Sequence, residues 1–176
     1  MFRKFTRSTI QKKTFLLQRV YVPEKMSTIA SVGLIVDLNI LSDYRDMSIL
    51  KEAFIRGDCL NQALVEVDTI VVPLRRKNAE IIYTDKVFTN DQLTWRGAFK
   101  TGSDAQAFKD KKYDVLVNYF AKASCELAFL SAATPAKFRI GLRSEQDVRN
   151  DLTIVVDPDA VESFTGVLQT ILSKIN

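Results

Sequence analysis

Short apolar runs separated by polar segments recur along most of this chain. From about residue 30 onward the runs are rich in Val, Ile and Leu, and most of them lack a polar face. Such runs are typical of strands that are covered on both sides, as in a parallel sheet. They predict strands at residues 30–38, 67–74, 113–119, 137–142 and 152–156, with a further short strand within 80–88.

Segments between these strands carry apolar residues at helical spacing. Met47, Leu50 and Phe54 fall on one face, which predicts a helix that ends near Gly57. A second helix, rich in small residues, is predicted at residues 124–134. The chain therefore alternates between strands and helices.

The last helix is predicted from its start signal. Asp157 suits the N-cap, Pro158 the first helical position, and Asp159 the positive end of the helix. The buried stripe of this helix is predicted to include Val161, Phe164, Leu168, Ile171, Leu172 and Ile175. Asp157 and Asp159 also have the spacing of a metal-binding pair, but capping accounts for both, so we expect no metal here.

Strands alternating with helices predict right-handed crossovers and a mostly parallel sheet between helical layers. The fold class is therefore α/β. We expect a single Rossmann-like three-layer domain over residues 29–176, preceded by a basic N-terminal arm over residues 1–28. Pro73, near the end of the second strand, indicates an edge or terminal position.

Positive charge is concentrated in the arm. The chain of 176 residues carries a net charge of +4, but residues 1–20 carry +6 and no anion, so the remainder carries −2. The six cations are Arg3, Lys4, Arg7, Lys12, Lys13 and Arg19. Such a segment can bind along the phosphate backbone of RNA, lie on an anionic membrane or act as a targeting peptide. We expect the arm to dock on the domain through Phe15, Leu16, Leu17 and Val20.

Other sequence features bear on the compartment. No apolar run is long enough to span a membrane, and the N-terminus lacks the apolar core of a signal peptide. Cys59 and Cys125 lie far apart, which is typical of two buried thiols in a reducing compartment. We expect a cytoplasmic protein, or a mitochondrial one if the source is eukaryotic.

Histidine is absent from the chain. This excludes Ser-His-Asp and Cys-His nucleophile activation, and it removes imidazole as a metal ligand. The glycine motifs that cradle nucleotide phosphates are also missing: no G-x-G-x-x-G follows the first strand, and no G-x-x-x-x-G-K-[ST] occurs. We therefore expect no cofactor, and binding rather than catalysis.

Two resemblances are carried by short motifs. Residues 113–141 run from Tyr-Asp-Val-Leu through a small-residue helix to Arg-Ile-Gly, which resembles the N-terminal domain of lipopolysaccharide heptosyltransferases. The whole chain is similar to an uncharacterised family of short Bacteroidetes proteins. That similarity rests on residues 32–37, 95–97, 113–116 and 137–141. Both resemblances imply a Rossmann-like fold and leave the function open. The heptosyltransferases hold their sugar donor mainly in a second domain, and the resemblance to the other family implies no activity.

The predicted sheet indicates where a ligand would bind. In open parallel sheets, ligands bind beyond the carboxyl ends of the strands. The residues predicted at these ends are Asp37, Asn39, Asn118, Lys122, Ser124 and Arg143. Lys122 and Ser124 begin a predicted helix, which suits an anion.

Residues 89–112 form a long segment that interleaves aromatic and basic residues. Pairs such as Trp95-Arg96 have the spacing to stack on bases while cations follow phosphates. The alternative is that the aromatic residues anchor a long loop to the domain. Trp95 and Arg96 therefore join the arm cations as candidate partner-binding residues.

Three functions remain open from the sequence. The leading hypothesis is a non-catalytic binding or accessory domain whose arm contacts an anionic partner, either RNA or a membrane surface. The first alternative is a small enzyme or a nucleotide- or sugar-binding protein, with a crevice lined by Asp37, Asn118 and Arg143. The second is an oligomeric structural protein, with the Pro73 edge or the last helix as its interface.

Overall fold

The computed structural model describes residues 2–20, 29–43, 45–55, 65–74, 84–144 and 148–175, and the backbone alone for residues 2–6, 19, 20, 55 and 175. The helices within these ranges are α1 (Phe2–Val20), α2 (Arg45–Ile55), α3 (Asp104–Lys109), α4 (Cys125–Ala133) and α5 (Val161–Ile175). The strands are β1 (Ser31–Asp37), β2 (Glu66–Val72), β3 (Lys86–Val87), β4 (Tyr113–Tyr119), β5 (Ala136–Leu142) and β6 (Leu152–Ile154).

These strands form one sheet in the order β3-β2-β1-β4-β5-β6, and every neighbouring pair is parallel. Val32 of β1 pairs with Val67 on one side and Val115 on the other. The predicted α/β class is confirmed. Because the chain leaves β1 toward one edge and returns through β4 toward the other, the carboxyl ends of β1 and β4 mark the switch point of the topology.

Each face of the sheet has its own helical layer. Leu34 and Val36 of β1 pack with Phe54 in a core closed by α2 and α5. Ile35, which points the other way, packs with Leu127 in a second core closed by α1, α3 and α4. The alternation of strand side chains thus produces the predicted three layers.

The α2 prediction is confirmed, since Met47, Leu50 and Phe54 are all buried against the sheet. Gly57 lies outside the described residues. The start predicted for α5 is wrong. This helix begins at Val161, and Asp157 lies in a preceding turn where its carbonyl accepts a hydrogen bond from the Ala160 amide at 2.9 Å.

Pro73 directly follows β2, so the terminal position is confirmed. The edge position is wrong, because β2 lies between β1 and β3. A proline is tolerated here because the ladder of hydrogen bonds has already ended. The described part of the sheet therefore offers no exposed edge at Pro73.

The predicted arm contains helix α1, which packs on α4. Ile10, Thr14 and Gln18 are buried, four residues apart on one face. The predicted docking through residues 15–17 is wrong, because three consecutive residues cannot share one helix face. Phe15, Leu16 and Leu17 are 56%, 60% and 36% exposed. The side chain of Val20 lies outside the description.

Residues 89–112 are more regular than the sequence indicates. They contain α3, whose N-terminus is capped by Ser103 through a hydrogen bond from the Gln106 amide at 3.2 Å. Phe99 stacks on Phe129 of α4 at 5.0 Å between ring centroids, and Phe108 is fully buried. These contacts favour the anchoring interpretation for both phenylalanines. No helix among the described residues is both long and apolar enough to span a bilayer.

Candidate functional site

A cleft of about 240 Å³ opens at the carboxyl ends of β1, β2, β3 and β4. It lies at the switch point, where open parallel sheets bind ligands. The side chains that line it are Asp37, Val72, Pro73, Phe88, Thr89, Asn90, Lys122, Ser124 and Leu127. One part of this wall is apolar, and the rest offers hydroxyl, amide, carboxylate and ammonium groups.

Asp37 ends β1 and is 7% exposed. Its Oδ1 accepts hydrogen bonds from the Asn39 backbone amide at 3.0 Å and from Asn39 Nδ2 at 2.7 Å. Asn39 Nδ2 also lies 3.1 Å from the Pro73 carbonyl oxygen. Asn39 therefore ties the exit of β1 to the exit of β2 and holds the Asp37 carboxylate in place.

Lys122 and Ser124 reach the same cleft from the loop after β4. Ser124 caps α4, because its hydroxyl accepts a hydrogen bond from the Leu127 amide at 3.1 Å. The positive end of α4 and the Lys122 ammonium thus stand on one side of the cleft. Among the predicted crevice residues, the structure brings together Asp37, Lys122 and Ser124 in the cleft lining. Asn39 contacts Asp37 but is not itself a lining residue.

Asn118 and Arg143 do not line this cleft. Asn118 is 1% exposed, and its Nδ2 donates to Asn150 Oδ1 at 2.7 Å. Its side chain lies over Gly141, where an added Cβ would come within 2.5 Å of Asn150. Arg143 is exposed after β5. The predicted grouping with Asp37 is therefore wrong, because Asn118 turns toward β5 and β6.

Thr89 and Asn90 are site residues that the sequence reasoning missed. They follow β3, which has only two residues and pairs with residues 70–71 of β2. A strand this short carries almost no periodic signal. The one available signal is the short strand predicted within 80–88. Ligands bind beyond strand ends, so the loop after this strand is where site residues are expected.

The amino end of the sheet is closed by a charged cluster. Asp68 is 7% exposed; Tyr113 Oη lies 3.0 Å from its Oδ2, Lys111 Nζ lies 2.9 Å from the same oxygen, and Lys86 Nζ contacts Oδ1. Burial by itself raises the pKa of Asp68, but the hydrogen bonds from Lys86, Lys111 and Tyr113 together lower it. Burial, followed by the Asp68 charge, raises the pKa of Tyr113.

Asp114 performs a similar role beside this cluster. Its Oδ2 accepts hydrogen bonds from the Ala30 and Ser31 amides at 2.9 and 3.0 Å, and Lys137 Nζ lies 2.7 Å from its Oδ1. Burial opposes ionisation, but Lys137 and the two amides lower the pKa of Asp114. The Tyr113-Asp114 pair of the sequence motif thus fastens the starts of β1, β2, β4 and β5.

Two observations bear on the nucleophilic and metal-binding groups near the cleft. Burial, followed by a hydrogen bond with Glu126, raises the pKa of the Cys125 thiol to about 11, so the reactive thiolate is scarce at neutral pH. Cys59 lies outside the described residues. Within the described ranges, no three carboxylate or thiolate groups come together to hold a metal ion.

The candidate partner-binding residues are spread over α1 and the turn at residues 94–97. Arg7 Nε lies 3.8 Å from Glu126 Oε1, and Lys13 Nζ donates to the Arg96 and Gly97 carbonyls at 3.1 and 2.8 Å. Lys12, Trp95 and Arg96 are exposed. The side chains of Arg3, Lys4 and Arg19 lie outside the description.

Comparison with known proteins gives one result. No curated protein and no solved structure matches the chain. A family model, described as a family of unknown function (DUF6913), matches residues 3–175. The match includes α1 together with the sheet, and it carries no statement about heptosyltransferases or source organism. The chain belongs to this family of unknown function, DUF6913.

Proposed function

We propose that this protein binds a small, anionic metabolite in the cleft at the carboxyl ends of β1 to β4. The observation that carries the proposal is the convergence of Asp37, Thr89, Asn90, Lys122 and Ser124 on one cleft at the switch point. Polar groups from separate chain segments meeting above apolar side chains are the usual composition of a ligand site.

The cleft limits the size of the ligand. Sites that bury drug-sized ligands measure about 300–1,000 Å³, and this cleft is smaller. The turn after β1 is a short 3₁₀ helix at Leu38–Ile40, which differs from the glycine-rich start of a nucleotide-binding helix. Both features favour a small carboxylate or phosphate compound over a dinucleotide.

The charges orient such a ligand. Lys122 and the N-terminus of α4 favour its anionic group. The Asp37 carboxylate lines the same cleft and is held in place by the Asn39 amide. This carboxylate favours a ligand with a hydroxyl or amine group that can donate a hydrogen bond to it. Val72, Phe88 and Leu127 supply apolar contact for a short carbon skeleton.

The test is thermal unfolding of the full chain with a panel of small carboxylates and phosphates. A ligand at 100 times its Kd should raise stability by about 2.7 kcal/mol, or the Tm by about 5–10 °C for a chain of this length. Lys122→Ala should remove the rise, and Lys174→Ala, an exposed lysine of α5, should keep it. No shift across the panel, or a shift that survives Lys122→Ala, would contradict the proposal.

A second function concerns a different surface. We propose that α1 also contacts an anionic macromolecular partner. The observation that favours it is the exposure of Arg7, whose side chain is 67% exposed, and of Lys12, on a segment without acidic residues. Salt-sensitive binding of the full chain to a polyanion would support this function. Absence of binding to RNA and to anionic vesicles at low salt would overturn it.

A further inference from the structure

The outward face of α1 is apolar as well as basic. Ile10, Thr14 and Gln18 form the buried face, so the residues opposite them point away from the domain. Leu16 is 60% exposed on that side. Leu17, which is 36% exposed, lies at one border of it, one turn after Lys13, and Phe15 lies at the other border. A helix that only packed on the domain would carry polar residues at these positions.

The turn at residues 94–97 extends this face. Gly97 has a φ of +63°, and its Cα packs against Ile10, where an added Cβ would lie 3.1 Å from the Ile10 side chain. Lys13 Nζ holds the Arg96 and Gly97 carbonyls. Trp95, which is 65% exposed, therefore lies beside α1.

Cations are mixed with the apolar groups on this surface. The Arg96 guanidinium stands 4.6 Å from the centroid of the Trp95 ring, and Lys12 is exposed one turn before Leu16. We call this surface the α1 face; it consists of Lys12, Leu16, Leu17, Trp95 and Arg96. None of the acidic residues of the chain lies within residues 1–20, so the α1 side of this surface is complementary to an anionic partner.

The apolar residues decide which anionic partner fits. Single-stranded nucleic acids are bound by cations and stacked aromatic rings, and that mode gives Leu16 and Leu17 no role. Leucine and tryptophan on the side away from a buried face, bordered by Lys and Arg, are typical of helices that lie in the plane of a membrane surface. Tryptophan in particular favours the headgroup level.

We propose that the α1 face lies on the surface of an anionic lipid bilayer, with Leu16, Leu17 and Trp95 at the boundary between headgroups and acyl chains. This inference rests on the second proposed function, because it names the partner that α1 contacts. It is independent of the cleft, which α1 does not line.

Trp95 provides a direct readout, because it is the single tryptophan of the chain. The full chain is titrated with vesicles of phosphatidylcholine alone and with vesicles that contain 30% phosphatidylserine. Trp95 emission should shift to the blue with the anionic vesicles only, and binding should weaken at high salt.

Matched variants locate the contact. Leu16→Gln should weaken binding to the anionic vesicles about tenfold, and Lys12→Gln about fivefold. Val167→Gln is the control, since Val167 is 42% exposed on α5 at the opposite face of the sheet, and it should bind like the parent. Point variants are preferable to deletion of residues 1–20, because deletion would uncover the α4 side chains that pack on Ile10.

A labelled single-stranded RNA in the same titration separates the outcomes. Binding to RNA but not to anionic vesicles would overturn the membrane assignment and leave the contact of α1 with polyanions standing. Binding to neither would overturn both. Vesicle binding that Leu16→Gln and Lys12→Gln leave unchanged would place the contact elsewhere and also overturn the inference.

Discussion

The two ends of the sheet carry charged side chains for different purposes. At the amino end, Asp68 and Asp114 are contacted by lysines, amides and a tyrosine hydroxyl, and these contacts join the starts of neighbouring strands. At the carboxyl end, Asp37 and Lys122 line an open cleft. The difference teaches that burial and ionic contact alone do not identify a functional site, since the more densely bonded end uses its charged groups for contacts between strands.

Removal of the central carboxylate should have the largest effect. Asp68→Asn keeps the shape of the side chain but removes the charge that holds Lys86, Lys111 and Tyr113. We expect a loss of about 3 kcal/mol in the free energy of unfolding. Urea denaturation measures this. Asp110→Asn, at an exposed carboxylate of the Lys109 pair, is the control and should leave the midpoint unchanged. Equal effects of both variants would contradict the structural role.

Close packing at the amino end gives the next effect. An added Cβ at Gly33 would stand 2.8 Å from the Tyr113 ring, so Gly33→Ala should cost about 1–3 kcal/mol. Gly166→Ala is the matched control, because Gly166 lies in α5 with open space around it, and it should stabilise the protein by about 0.5–1 kcal/mol. A neutral Gly33→Ala would show that Tyr113 is not held tightly over β1.

Acid should weaken the amino end. The folded pKa values of Asp68 and Asp114 lie below the ordinary value of 3.8, so their contribution is complete above that pH and is lost as the pH falls through the folded pKa values. We therefore expect the urea midpoint to fall as the pH drops from about 5 to about 3. Asp68→Asn should flatten this dependence, and an unchanged slope would contradict the assignment.

The smallest effect on stability is expected at the cleft. Asn90→Ala and Lys122→Ala should each change the free energy of unfolding by less than about 0.5 kcal/mol, because both side chains are exposed at the surface. The same denaturation experiment measures it. A loss of unfolding free energy close to that of Asp68→Asn would mean that the residues at the carboxyl end also stabilise the fold. The contrast between the two ends of the sheet would then be wrong.

Much of the fold could be predicted from the sequence, because β1, β2, β4 and β5 each contain a short, mostly apolar run with a buried centre. Strand order could not, since it depends on contacts between distant segments such as Val32 with Val67 and Val115. The docking face of α1 could not be predicted, because two of its buried residues, Thr14 and Gln18, are polar and give no apolar pattern.

The site was predicted in part. Asp37 ends β1, and Lys122 and Ser124 lie in the loop after β4, so the strand-end rule locates them. Asn118 lies inside β4, and its side chain points toward Asn150, away from the cleft. The direction of that side chain depends on a residue 32 positions away and could not be predicted from the sequence. The role of Tyr113 could not be predicted, because its partner Asp68 is 45 residues away.

Chemical-shift mapping during a titration with inorganic phosphate tests the central claim most directly, because phosphate is the smallest probe for the anion position in the cleft. We predict saturable shifts of the amides of Asn39, Thr89, Asn90, Lys122 and Ser124, and none at Asp68 or Lys111. Shifts confined to the amino end of the sheet, or the absence of saturable shifts at the cleft, would contradict the account.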